Sequence, residues 1–257
     1  DGLRLFLSEY PTSKSRIMFH RQIEDRVNRL APFLEREQRT IRNVMPDDRV
    51  HLAQDRAFFY LNRVYSAYGG ENTKLALAFQ REVINNVVPR VKPDLIHCND
   101  WMTGLIPAMA RRMGIPCLFT IHNIHTVKAT LDHIEDRGID AAYFWHHLYY
   151  EQFAPSYEAV REATAVDFLT SGVFAAHFVN TVSPHFLDEI VAGTHDFVAW
   201  PLRQQLANKR YAECATGILN APDPAFNPKT DTAIVRNYTS DTHANGKREN
   251  KRHLQKA

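Results

Sequence analysis

Apolar and polar positions along this chain change period several times, and the changes mark its elements. Leu95 and Ile96 are entered from Pro93-Asp94 and followed at once by polar residues and Trp101. An apolar run this short is too brief for a buried helix and reads as a parallel strand. From Trp101 the spacing lengthens: Leu105, Met109 and Met113 lie on one helix face, and Gly114 stops the pattern before a second strand at Ile115 to Ile121. A strand-helix-strand unit is right-handed, so both strands end at the same edge of one sheet. Asp100, after the first strand, and His122, after the second, therefore face one cleft. Loops leaving neighbouring strands about 5 Å apart can converge there on a sugar-sized molecule.

The same reading extends along the chain. Leu3 to Leu7 is a candidate strand, and the charged stretch to about residue 56 leans to helix around Ile23, Val27, Leu30 and Leu34. The aromatic-rich segment Asp55 to Tyr68 ends at Gly69-Gly70-Glu71-Asn72, a turn closing on a helix whose stripe runs through Ala76, Phe79, Val83, Ile84, Val87 and Val88 and breaks at Pro89. Residues 124 to 156 form a polar, aromatic insertion containing Trp145, His146, His147, Tyr149 and Tyr150. A helix from Val160 to Ala176 leads to a strand at His177 to Val182. Ser183-Pro184, a cap residue followed by proline in the first helical position, then opens a helix through Ile190. Gly217 to Leu219 is one more short apolar run before the rigid, proline-rich connector Asn220 to Pro228. Residues 247 to 256 are polar and helix-prone.

Composition narrows the partners. The chain has 257 residues, 44% hydrophobic and 23% charged, with a formal net charge of +2. That is an ordinary globular composition, and its scattered basic residues form no stripe for nucleic acid. No stretch approaches a membrane span, and the opening residues lack a signal-peptide pattern. The three cysteines, Cys98, Cys117 and Cys214, lie in or beside apolar runs without Cys-x-x-Cys spacing, which fits a reduced, cytoplasmic protein.

Several chemistry-bearing residues also have plain structural readings. His97, ahead of a strand end, reads as a hydrogen-bonded structural histidine. Asp100 is placed equally well to cap a helix beginning at Trp101 or to bind a ligand. His122, His125 and His133 lack the helical spacing with a nearby acid that zinc sites use, so no metal is expected. The Trp145 to Tyr150 cluster reads as aromatic packing.

Five segments taken in order carry a resemblance. They are His97-Cys98-Asn99-Asp100-Trp101, Phe119-Thr120-Ile121-His122-Asn123, Phe168 to Phe174, Asn180 to Pro184, and Gly217-Ile218-Leu219-Asn220. Together, over about residues 55 to 231, they resemble the N-terminal half of bacterial and plant glycogen and starch synthases. The resemblance implies an α/β fold: a Rossmann-like doubly wound parallel sheet forming half of a GT-B glycosyltransferase. It implies retaining transfer of glucose from ADP-glucose to the non-reducing end of an α-1,4-glucan, without cofactor or metal. His122 is then the catalytic-site histidine beside the transferring glucose. Asp100, Trp101, Asn123 and Asn220 line the pocket, and Tyr68 with Asn72 matches a cluster near the acceptor. Trp101, Tyr65 and Tyr68 would offer flat apolar faces to sugar rings.

The chain departs from the family pattern in places. It has no Lys-x-Gly-Gly-Leu loop, Asn99 stands where a second histidine is common, and Asn220 is followed by Ala221-Pro222 instead of glycine. The expected organisation is an acceptor-side domain at 1–228, lacking its first strand and glycine loop. Residues 229–257 form a linker into a donor-binding domain lying beyond the chain. Two function classes follow: part of a glucosyltransferase, inactive as this piece alone, or a non-catalytic carbohydrate-binding or regulatory module on the same fold.

Overall fold

The computed structural model describes residues 55–58, 65–67, 69–223 and 226–256. The expected strand at Leu3 to Leu7 and the helix around Ile23 to Leu34 lie outside the described residues. Contacts divide the chain into two compact units between Ile218 and Leu219, ahead of the boundary at 228 that the proline cluster suggested.

The first unit is built on four parallel strands, β1 (Ile96–Asn99), β2 (Cys117–Ile121), β5 (Phe178–Thr181) and β6 (Ala215–Gly217), adjacent in that order. Registration across the sheet aligns two rows of residues. Cys98, Phe119, Val179 and Ala215 form one row, and each is at most 6% exposed. The next row, Asn99, Thr120, Asn180 and Thr216, is polar and points to the opposite face, as the two-residue period of a strand requires. Strand order follows chain order in one direction, and right-handed crossovers put the connecting helices on one face, over the apolar row.

Ahead of β1, α1 (Gly69–Glu82) runs through a π turn at Val83–Val87 into α2 (Val88–Val91) and stops at Lys92, whose φ is 49°. Pro89, expected to break the helix, is held in the first turn of α2. The widened turn just ahead of it relieves the clash a proline ring makes one turn back. The helix expected from Trp101 divides into a 3-10 turn, Trp101–Thr103, and α3 (Ile106–Arg112). Buried Gln80 of α1 accepts the Leu105 N–H at 2.7 Å, which satisfies a donor at the start of α3 and ties the two helices together.

The insertion after β2 contains β3 (Lys128–Ala129), α4 (Leu131–Glu135) and two 3-10 turns, Ala141–Tyr143 and Trp145–His147. Phe144 and Leu148 are buried in the main core, so the insertion packs into the domain. In place of one helix at Val160 to Ala176 there are two, α5 (Tyr157–Arg161) and α6 (Phe168–Ala175), separated by β4 (Val166–Asp167), which pairs antiparallel with β3. Asp167 caps α6 by accepting the Thr170 N–H at 2.8 Å. Arg111 and Lys209 donate to the Ala175 and Ala176 carbonyls at its other end, where the helix dipole favours cations.

Glycines set how closely α6 approaches the sheet. A Cβ on Gly172 would stand 2.6 Å from the Phe119 ring and 3.2 Å from the Gly104 Cα, and one on Gly104 would stand 2.0 Å from the Phe168 carbonyl oxygen. Beyond β5, α7 (Pro184–Ala192) is capped by the Ser183 hydroxyl on the Phe186 N–H at 3.2 Å, as its sequence predicts, and α8 (Trp200–Tyr211) returns to β6. In the second unit, α9 (His243–Leu254) is fastened by Asn250, whose amide exchanges two 2.8 Å hydrogen bonds with the Arg236 backbone. No helix among the described residues is long and apolar enough to cross a membrane.

Candidate functional site at the ends of the first two strands

β1 and β2 are neighbours, so the residues that follow them meet. The Asp100 N–H completes the ladder by donating to the Thr120 carbonyl at 2.9 Å. Its side chain then turns across to the second loop. Oδ1 accepts the backbone N–H of His122 at 2.7 Å and that of Asn123 at 3.3 Å, and Oδ2 accepts the Asn123 side-chain amide at 3.4 Å. The expected alternative of a helix cap is not what Asp100 does: its carboxylate makes no bond to the turn that follows it. Reaching the other loop requires an unusual backbone, with φ 58° and ψ 178°, a region populated almost only by glycine.

Beside this clamp, His122 Nε2 lies 3.0 Å from Asn99 Oδ1, and His97 Nε2 lies 2.7 Å from Thr120 Oγ1, which donates to Asn180 Oδ1 at 2.6 Å. These side chains stand on the polar face of the sheet and form two rungs between strands. His122 and Asn123 are exposed at the cleft, whereas Thr120 and Asn180 are buried. The structural reading of His97 matches this geometry.

Trp101 is fully buried, and its indole lies under two other rings. Tyr65 stacks on it at 6.5 Å with planes 24° apart, and His125 meets it edge-on at 5.3 Å. Trp101 is therefore the buried base on which these rings rest, and Tyr65, 47% exposed, is open to solvent. Asn72 acts through that same tyrosine loop: its amide accepts the Ser66 N–H at 2.8 Å and donates to the Ser66 carbonyl at 3.1 Å, bracing the residue next to Tyr65. Tyr68 lies outside the described residues. Asn220 follows β6 in the second compact unit, where it is exposed.

The loop after β2 is fixed further along. Asn123 Oδ1 accepts the His125 N–H at 2.8 Å. The Thr126 hydroxyl joins Asp167 at 3.2 Å and the Leu169 N–H at 3.1 Å, anchoring the loop on the start of α6. Two contributors, Asn99 and His125, are given no site role by the sequence. Asn99 shares strand parity with His97, and the register of β1 with β2 is what shows that this side faces His122.

Burial shapes the charges here. It pushes the Asp100 carboxyl up from its ordinary value, opposed by the two backbone N–H bonds and the His122 imidazole. Burial, with His122 adding to it, lowers the His97 imidazole, and burial followed by the Asp100 charge raises the Tyr65 phenol. No group of three or more His, Cys, Asp or Glu side chains suited to a metal ion occurs among the described residues. A carboxylate, an imidazole, amides and one exposed aromatic ring form a set suited to a neutral, hydroxyl-rich ligand.

The fold is that of a glycosyltransferase half. The catalytic domain of starch synthase IV from Arabidopsis thaliana, solved with ADP and acarbose, superposes with a TM-score of 0.54 at 22% identity, covering 77% of this chain and 39% of that one. This is the Rossmann-like α/β architecture expected for one half of a GT-B enzyme. Residues 4–199 match the family described as starch synthase catalytic domain, and the chain belongs to that family. A glycogen synthase from Edwardsiella ictaluri (strain 93-146) is 30% identical over 215 residues, covering 82% of this chain and 42% of that protein. One from Exiguobacterium sibiricum is 29% identical over 210 residues, covering 77% and 41%. The chain thus spans about two-fifths of the length of these relatives.

Proposed function

We propose that this chain forms the acceptor side of a retaining glucosyltransferase that moves glucose from ADP-glucose to the non-reducing end of an α-1,4-glucan. The observation that supports this most is the convergence of Asp100, His122 and Asn123 on one strand edge, beside the exposed ring of Tyr65. In this reading His122 hydrogen-bonds a hydroxyl of the transferring glucose. The backbone at the end of β2 faces the positive charge that develops at the anomeric carbon, and oriented dipoles fixed in advance stabilise such charge. Asp100 serves by holding that backbone in place, Trp101 by supporting Tyr65, and Asn72 by bracing the Tyr65 loop. Asn123 offers its amide to the sugar, Tyr68 is assigned to the glucan, and Asn220, by its match to the family asparagine that follows the last shared strand, to substrate binding. Residues up to about 228 belong to the acceptor side, those after it lead toward the donor side, and the reaction needs neither cofactor nor metal. The cytoplasm suits this chemistry and the free thiols.

The test is a titration of the isotopically labelled 257-residue chain with malto-oligosaccharides. Resonances of His122, Asn123 and Tyr65 are expected to move, with affinity in the millimolar range, while distant amides such as those of α8 stay fixed. No change at saturating sugar would overturn the acceptor assignment. Glucan elongation from ADP-glucose by this chain alone would overturn the assignment of the donor contacts to residues outside it.

A further inference from the structure

Asn99 lies outside the set of residues assigned to the sugar, yet it is the side chain that engages the His122 ring. We propose that Asn99 is a positioning residue that fixes the tautomer of His122, so that the histidine meets a sugar hydroxyl as a hydrogen-bond acceptor through Nδ1. The half of this inference that concerns sugar rests on the function proposed above.

The argument begins from the 3.0 Å contact between Asn99 Oδ1 and His122 Nε2. An amide oxygen only accepts, so the ring nitrogen facing it must carry the proton. A neutral imidazole has one N–H, which leaves Nδ1 with a free lone pair. The surroundings leave His122 few other partners. Thr120, the intervening residue on that face, is engaged by His97 and Asn180. The Asp100 carboxylate is committed to the backbone of His122 and to Asn123. Asn99 is itself anchored, because the Thr103 hydroxyl donates to its carbonyl at 2.9 Å and its position is registered opposite Thr120. The side chain of Asn99 therefore projects from a fixed backbone toward a ring whose own backbone is clamped. Strand geometry thus fixes the separation and the direction of this pair. An acceptor at Nδ1 suits a hydroxyl that donates, and it leaves that hydroxyl's lone pairs free for the Asn123 amide.

Ring nitrogen shifts and two-bond proton-nitrogen correlations of the labelled chain, recorded with the imidazole neutral, test both halves. The wild-type His122 is expected to show a single Nε2-protonated form. Asn99→Ala should give a mixture of the two tautomers and weaken malto-oligosaccharide binding several-fold. Asn99→Asp, which keeps an acceptor at the same place, should restore the single form. Asn99 is exposed, and the unchanged circular dichroism expected of both variants separates these effects from misfolding. An Nδ1-protonated wild-type ring would overturn the proposal, as would unchanged tautomer and affinity in Asn99→Ala. If the tautomer behaves as expected but no variant or wild-type chain responds to sugar, the positioning role of Asn99 stands and the carbohydrate reading fails.

Discussion

Replacing Asp100 separates two things its residue does at once: accepting hydrogen bonds and holding a strained backbone. Asp100→Ala removes the acceptor of the His122 N–H at 2.7 Å and of the Asn123 N–H at 3.3 Å. A hydrogen bond to a charged acceptor contributes about 1.5–3 kcal/mol. Here one of the two is long, both lie at a cleft where water can replace the carboxylate, and burial already opposes the charge. A net loss of about 1–2 kcal/mol follows. Asp100→Gly loses the same acceptors but also releases the backbone, since φ 58° with ψ 178° costs a residue with a Cβ about 1–3 kcal/mol. Glycine's greater freedom in the unfolded chain gives back roughly 0.5–1 kcal/mol of that gain. The glycine variant should therefore be more stable than the alanine variant by about 0.5–2 kcal/mol, the reverse of the usual order. Urea unfolding followed by circular dichroism and tryptophan fluorescence measures the difference. In both variants the His122 and Asn123 amides should exchange faster with solvent. An alanine variant as stable as the glycine variant, or more so, would show that strain at Asp100 is no larger than the entropy cost of glycine and would refute this reasoning.

Four further outcomes are expected. Gly104→Ala drives a Cβ to 2.0 Å from the Phe168 carbonyl oxygen and should cost about 3 kcal/mol or more, read as a lowered urea midpoint. Gly70→Ala, where a Cβ meets nothing within 4 Å early in α1, should instead stabilise by up to about 1 kcal/mol. Thr120→Val leaves buried Asn180 without its donor and should cost about 1–3 kcal/mol, with Thr120→Ser recovering most of it in the same assay. The His97 imidazole is depressed on folding, so the unfolded chain binds more protons. Its contribution to stability is complete above its ordinary 6.5 and lost as pH falls through the lower folded value. His97→Gln should flatten that part of the profile, measured as urea midpoints against pH. The raised Asp100 carboxyl acts in the opposite sense: its contribution is full below its ordinary 3.8 and declines as pH rises through the higher folded value.

The strand ends and their polar followers were legible from the hydrophobic pattern because β1 and β2 are short and set off by Pro93, Gly114 and Pro116. The Ser183 cap of α7 was legible for a local reason, since a cap and its N–H acceptance span three residues. What periodicity missed depends on contacts distant in sequence. The helix read from Val160 to Ala176 is interrupted because Val166–Asp167 pairs with Lys128–Ala129, and a two-residue ladder leaves no period of its own. The aromatic insertion is legible as packing, but its apolar residues are irregularly spaced, so the sequence does not single out Phe144 and Leu148 as the ones that reach the core. Asp100 appeared as a cap or a ligand because its positive φ, which aims the carboxylate at the other loop, is written in no local pattern. The pairing of Asn99 with His122 likewise requires the strand register.

The grip of Asp100 on two successive amides also decides what this edge refuses. Exposed N–H groups at the end of a parallel strand ordinarily make a welcoming place for phosphate. Here that place is already filled by the protein's own anion. A diphosphate arriving at β2 would find its donors taken and a like charge in front of it, so the edge sorts its visitors by charge. On the function proposed above, such an edge favours a neutral hydroxyl over a phosphate.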